Sequence, residues 1–171
     1  MILYEKMNKQ RVHTINWEDP KISVRDATSI SGIDYLRSIR DGKTKPPPIA
    51  MLVGYRIREV GKGSAVFELE PAEYHYNPFA TVHGGIASTL LDSAMTAAIL
   101  STLSVGLSCA TVEFKVNFIR PITSKTGIVQ CKAKMIHVGN RIATAEGRII
   151  DNNEQLYAHA VSTLMIFKQS N

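Results

Sequence analysis

Asn77, His83, Gly84, Gly85 and Asp92 fall within one stretch, "NPFATVHGGIASTLLDSAM", which offers an amide-rich turn and one carboxylate. Gly84-Gly85 opens a run of apolar and small residues reaching Leu103, with Asp92 as its sole charge. That is the composition of a buried helix. The first amide N–H groups of a helix have no partner within it and carry the positive end of its dipole. Two glycines there let another molecule approach the backbone closely, and a carbonyl oxygen gaining negative charge is what such a site stabilises. The same pair also serves simply as a tight entry into the helix, with His83 packed beside it.

Asp92 is the second chemical element, because burying an unpaired carboxylate is costly. It lies eight residues after Gly84, about 12 Å along the axis at ~1.5 Å per residue. It therefore cannot reach a carbonyl held at the N-terminus of its own helix. An antiparallel copy of the helix from a second protomer would bring its Asp92 beside this Gly84. Ser88, Thr89, Ser93 and Thr96 surround Asp92 at helical spacing, a polar stripe suited to a partner or a wet cleft. Solvent exposure, or hydrogen bonds from those hydroxyls, would satisfy the carboxylate equally well.

Other chemistries find little support. The five histidines (13, 75, 83, 137 and 159) show no paired spacing of the kind zinc sites use, so no metal is expected, and no Ser-His-Asp triad is visible. Cys109 and Cys131 are far apart in strand-like stretches, which suggests buried free thiols and a cytoplasmic location. The net charge of +5 is spread without a basic block, which argues against a nucleic-acid partner. No apolar run is long enough to span a bilayer, and "MILYEKMNKQRVHTINWEDP" lacks the apolar core of a secretory signal.

These residues must be positioned by the rest of the chain. Residues 1–28 are aperiodic and read as a loosely held arm. In "SISGIDYLRSIRD", Ile30, Ile33, Leu36 and Ile39 form one apolar helical stripe. "KTKPPP", up to Pro48, reads as a stiff connector. The expected division is thus 1–48 for arm, helix and connector, and 49–171 for the main domain. There "MLVGYRIREV" and "SAVFELE" read as strands joined at Gly61-Lys62-Gly63. After the apolar helix, "TVEFKVNFIR" alternates cleanly, with Val112, Phe114, Val116 and Phe118 on one face and Thr111 on the other. Three more strands follow, turning at Gly139-Asn140 and Asn152-Asn153. Short turns force antiparallel pairing. The expected fold is α+β: one long antiparallel sheet curled around a single apolar helix, the hot-dog arrangement, with an extra N-terminal helix. Such a thin sheet leaves an edge and a helix flank uncovered, which predicts a dimer.

"NPFATVHGGIASTLLDSAM" resembles the signature of the PaaI-type (phenylacetic acid degradation) thioesterases of the hot-dog superfamily, because asparagine, His-Gly-Gly and aspartate all fall at that family's spacing. The similarity extends over roughly residues 50–167, including "TVEFKVNFIRP" and "HVGNRIATAEGRIID", and "GIDYLRSIRDGK…PPPIA" resembles an extension in one branch. The resemblance implies hydrolysis of acyl-CoA thioesters by a homodimer or dimer of dimers, with coenzyme A present only as part of the substrate and no other cofactor. Gly84 matches the residue whose N–H polarises the thioester carbonyl, and Asn77 one that positions substrate or water. Asp92, from the second protomer, matches the carboxylate that attacks directly or activates a water, and Thr111 a hydroxyl residue that orients that water. His83 and Gly85 would shape the substrate-binding turn. Arg141, with Lys132 and Lys134 behind it, is a candidate for the coenzyme A phosphates, or an ordinary solvated turn charge.

Alternation sets Thr111 away from the core face, so it can serve only if the site lies at a strand edge or between protomers. Two other readings remain. A non-catalytic acyl-CoA-binding protein would not need Asp92, and a hydratase would need an acid–base pair that the helix does not show.

Overall fold

The computed structural model describes residues 10–168 of the 171. In chain order, helices α1 (Pro20–Ser29), α2 (Gly32–Arg40) and α3 (Pro48–Val53) precede strands β1 (Arg56–Gly61) and β2 (Ser64–Leu69). The apolar run forms helix α4 (Gly84–Leu100), and β3 (Leu107–Phe118), β4 (Val129–Val138), β5 (Ile142–Ile150) and β6 (Leu156–Lys168) follow. The six strands form one sheet in the order β1-β2-β4-β5-β6-β3, and every neighbouring pair is antiparallel. Gly63, at φ 77°, closes the β1–β2 turn in a backbone region that favours glycine. Strand β3 pairs only with β6, so β1 and β3 are the two edges of the sheet.

Alternation explains how the sheet wraps the helix. The inward positions of β4, β5 and β6 are largely small: Ala133, Ala143, Ala145, Gly147, Ala158 and Ala160 are all buried. Opposite them α4 presents Leu90, Leu91, Met95 and Ile99, each fully buried. The fit is close. A Cβ at Gly147 would lie 3.1 Å from Met95 Cγ and 3.2 Å from Leu91 Cδ2. Large side chains on the helix and small ones on the sheet interdigitate at core density.

The N-terminal region departs from the expectation in two places. Pro20–Ser29, largely assigned to a loose arm, is helical and is N-capped by the Asp19 carboxylate, which accepts from the Lys21 N–H at 2.9 Å. The part of that arm before Gln10 lies outside the described residues. Pro48, placed in a connector that excludes helix, instead starts α3 at the one helical position where proline's missing N–H costs nothing. Helix α3 stops at Gly54, φ 79°, so the first strand begins at Arg56 rather than Met51. Helix α2 carries Ile33, Leu36 and Ile39 of the predicted stripe, while Ile30 lies in the extended break before it; the helix packs on β1 and α4, with Leu36 entering the main core. At its start, a Cβ on Gly32 would fall 1.9 Å from the Leu100 carbonyl oxygen, so only glycine permits this contact.

His75 ties these parts together. Its Nδ1 accepts from the Ala72 N–H at 3.0 Å and its Nε2 donates to the Val53 carbonyl at 2.9 Å, which requires a neutral ring. Its own carbonyl accepts from the His83 N–H at 2.8 Å, just before α4 begins. Burial holds the His75 pKa below its ordinary value. Below about pH 6.5 the unfolded chain takes up a proton there that the folded chain refuses. The stability His75 contributes is therefore present above that pH and lost as pH falls. The thermal midpoint should drop between about pH 7 and pH 5, and His75→Gln should flatten that dependence; an equal slope in both proteins would rule His75 out as its source.

Candidate active site

Asp92 sits at mid-helix on α4, half-buried, and Thr111 on edge strand β3 donates to its Oδ1 at 2.6 Å. Strict alternation had set Thr111 on the face opposite Phe114. The strand is not strictly alternating. Thr111 pairs with Leu164 and Glu113 with Thr163, the next residue along β6, which leaves Val112 as an extra residue in a β-bulge. A bulge slips the facing of a strand by one residue. Cys109 and Thr111 before it, and Phe114 and Val116 after it, consequently face the helix side. Val112, expected in the core, is 62% exposed. Phe118, also expected there, is 54% exposed.

Around Asp92 the polar stripe of α4 faces a cleft. Ser93 Oγ donates to the Tyr55 hydroxyl at 3.0 Å, and Asp92, Ser93 and Thr96 line a cavity of about 400 Å³ together with Tyr55 and Phe67. Cys109 Sγ lies 3.9 Å from the Thr96 carbonyl oxygen. Burial, and then the negative charge of Asp92, push its thiol up to about 11. With Oδ1 held by Thr111, Asp92 Oδ2 has no protein donor among the described residues.

The start of α4 forms a second, separate half of the site. His83 is the N-cap, and its Nδ1 accepts from the Gly85 N–H at 2.9 Å. The Ile86 and Ala87 N–H groups both turn back to the His83 carbonyl. Among the described residues the Gly84 N–H alone of these first-turn amides has no protein acceptor. Asn77 organises the preceding loop: its Oδ1 accepts from the Phe79 and Thr81 N–H groups, and its Nδ2 donates to Thr81 Oγ1 at 2.9 Å. Asn77 and Gly84 border one cavity of about 380 Å³. The Phe118 ring stands over Gly84, 3.1 Å from where a Cβ would be.

The chain thus unites Asp92 with Thr111, and Asn77 with Gly84, but holds the two pairs apart on one helix. Gly85 spends its N–H on His83. Arg141 is exposed in the β4–β5 turn, which ends level with Ala110 through the register Ile142–Met165–Ala110, and it borders neither cavity. Tyr55 and Phe118 were missed as site residues. Tyr55 was hidden inside a stretch read as continuous strand, and Phe118 was counted as core, whereas at the end of β3 its half-exposed ring covers Gly84. Among the described residues no cluster of histidine, cysteine or carboxylate is placed to hold a metal, and no helix is long and apolar enough to cross a membrane.

One helix embraced by one antiparallel sheet, with a carboxylate at mid-helix and a free amide at its start, defines the hot-dog class of thioesterase folds. Residues 79–158 match the thioesterase superfamily. The chain is 29% identical over 117 residues to the 1,4-dihydroxy-2-naphthoyl-CoA hydrolase of Listeria monocytogenes, an alignment covering 68% of this chain and 94% of that one. A phenylacetic acid degradation-related protein of Ralstonia eutropha JMP134 superposes with a TM-score of 0.70 at 26% identity, covering 77% of this chain and 98% of the other. The E. coli PaaI protein from the phenylacetic acid degradation operon gives a TM-score of 0.69 at 19% identity, over 82% and 98% of the two chains, a likeness of fold. Residues 79–158 thus match the thioesterase superfamily and the fold is that of the hot-dog thioesterases, a likeness that supports thioester hydrolysis as the activity class.

The Asp92 charge beside Cys109 can be read without any substrate. At about pH 8 Cys109 should react slowly with iodoacetamide in the folded protein, and Asp92→Asn should speed that reaction several-fold by removing a charge that opposes the thiolate. An unchanged rate would place the carboxylate away from the thiol.

Proposed function

We propose that the protein hydrolyses acyl-CoA thioesters at a site assembled from two protomers. The observation that carries this reading is the division of α4: a free amide at Gly84 and a free carboxylate oxygen at Asp92, eight residues apart, about 12 Å along the axis. Neither can act on the other's substrate within one chain. The edge strand β3 offers unpaired backbone along its outer side, and a second copy of the chain adding there in antiparallel fashion brings each Asp92 towards the other protomer's Gly84. A homodimer, or a dimer of such dimers, is the assembly this reading requires.

In the assembled site the thioester carbonyl accepts from the Gly84 N–H. That donor is aligned with the helix dipole, and stabilisation of the developing oxyanion is worth about 3–4 kcal/mol. Asp92 Oδ2 either attacks the carbonyl carbon or takes a proton from a water that does. The tetrahedral species then collapses, the C–S bond breaks, and the coenzyme A thiolate leaves and is protonated. On the water route, the proton held by Asp92 supplies it; on the direct route an acyl–Asp92 anhydride remains, which water hydrolyses to the free acid and the Asp92 carboxylate, and the proton released in that hydrolysis balances the thiolate. Thr111, by fixing Oδ1, aims Oδ2. Asn77 keeps one Nδ2 hydrogen beyond its bond to Thr81 and can hold substrate or water beside Gly84. His83 and Gly85 act by fixing the turn. Arg141, outside both cavities, meets at most the distal phosphates. No further cofactor enters this scheme, the hydrolase domain is 49–171, and the free thiols suit a reducing cytoplasm.

One relative is named a 1,4-dihydroxy-2-naphthoyl-CoA hydrolase, which supports coenzyme A as the thiol half. Thiol release from a panel of acyl-CoAs tests the scheme. Asp92→Asn should fold and lose at least about a hundredfold in kcat, a few kcal/mol of barrier. Gly84→Pro suits the first helical position, and His83 already has the extended backbone that proline demands before it, φ −59° and ψ 137°; its Cβ displaces the exposed Phe118 ring, which stands 3.1 Å away, so Gly84→Ala, with the same Cβ and the N–H kept, is its control. With the N–H removed, kcat should fall by about 10²–10³. If both variants turned over like the wild type, the proposed roles would be wrong. If the wild type bound acyl-CoAs without hydrolysing any, the protein would instead be an acyl-CoA-binding module.

A further inference from the structure

The cavity beside Asp92 has an unusual ceiling. A curled sheet leaves the flank of its helix open between the two edge strands, and here that flank is partly covered by the N-terminal region. One wall is α4, with Asp92, Ser93 and Thr96; the opposite wall is Tyr55, Ile57 and Phe67. Over them, α2 contributes Leu36 and Ile39, and Pro46, Pro47 and Ala50 close the space. None of these roof residues lies within residues 79–158, the part that matches the superfamily. The roof is built by the N-terminal extension that precedes the matched region.

We infer that this chamber is the acyl-group pocket and that the extension sets the length of acyl group it accepts. The inference rests on the hydrolase reading above. For attack, the carbonyl carbon must come within about 3–3.5 Å of the carboxylate oxygen or its water, so the acyl carbons continue into whatever apolar space borders Asp92. The chamber is that space. It suits a neutral chain rather than phosphates, because its two arginines are already paired: Arg40 with Asp41 at 2.8 Å, and Arg56 with Glu68 at 3.2 Å. Its volume of about 400 Å³ lies near the small end of ligand pockets, about 300–1,000 Å³, which matches medium-length linear acyl groups and single-ring aroyl groups better than a palmitoyl chain. Ile39, half-buried on the roof helix, is the length-determining residue.

The test pairs two readouts across a chain-length series from propionyl to palmitoyl. One is thiol release from the acyl-CoAs. The other is calorimetric binding of the non-hydrolysable S-alkyl coenzyme A thioethers, which reports on the chamber whether or not hydrolysis occurs. Ile39→Trp fills the chamber and should lower the octanoyl-to-propionyl ratio of kcat/KM at least tenfold, with matching loss of S-octyl binding relative to S-propyl. Ile39→Ala enlarges it and should move the optimum to longer chains. If length profiles by both readouts were the same in wild type and both variants, the acyl group would lie elsewhere and the inference would be overturned. Thioether binding that follows Ile39 without any hydrolysis would support the chamber while refuting the hydrolase reading.

Discussion

A carboxylate on a helix sealed by a sheet must be given a partner, and the way Asp92 obtains one shapes the site. Helix α4 is buried against small inward residues of the sheet, with Leu91, Ala94 and Met95 flanking Asp92 and fully buried. Only the flank between the two sheet edges is left for a charge. There Thr111 approaches to 2.6 Å from Oδ1. That contact depends on the bulge at Val112, since an unbroken β3 could not turn both Thr111 and Phe114 towards the helix. The bulge does two things together: it satisfies one carboxylate oxygen and leaves the other directed into the cleft.

The start of the same helix follows a parallel logic. An N-terminal turn has several amides without intrahelical partners, and His83 removes most of them by capping with both its ring and its carbonyl. What remains is a single aimed donor at Gly84, under the Phe118 ring. His75, buried between α3 and the loop before α4, fixes the height of that turn relative to the roof over Asp92. The roof, the carboxylate and the free amide are thus connected through one buried hydrogen-bonded histidine and one apolar helix.

Much of this was legible in the residues. Period-two alternation with tight turns gave the antiparallel sheet, the single apolar run gave the central helix, and the Gly84–Asp92 spacing already set the two groups apart along that helix. What alternation could not reveal was its own interruption. A bulge is marked by pairing with a distant strand, and nothing local to "ATVEFKV" distinguishes Val112 from its neighbours, so Thr111 and Val112 were set on the wrong faces. The proline run misled for a different reason: three prolines stiffen a chain, yet the last of them is well placed to start a helix, and α3 begins there. The cavity over Asp92 was invisible because it is made by residues far apart in sequence, Leu36 and Ile39 on one side and Phe67 and Thr96 on the other.

The claim that the catalytic groups are shared between protomers is tested most directly by mixing two inactive proteins. Asp92→Asn keeps a working Gly84 amide, and Gly84→Pro keeps a working Asp92. Co-expressed with different tags and isolated as the hetero-oligomer, they should recover acyl-CoA hydrolysis that neither possesses alone, since one of the two composite sites is then whole. A hetero-oligomer of confirmed composition that stays as inactive as its parents would contradict the shared site and place Gly84 and Asp92 in separate roles.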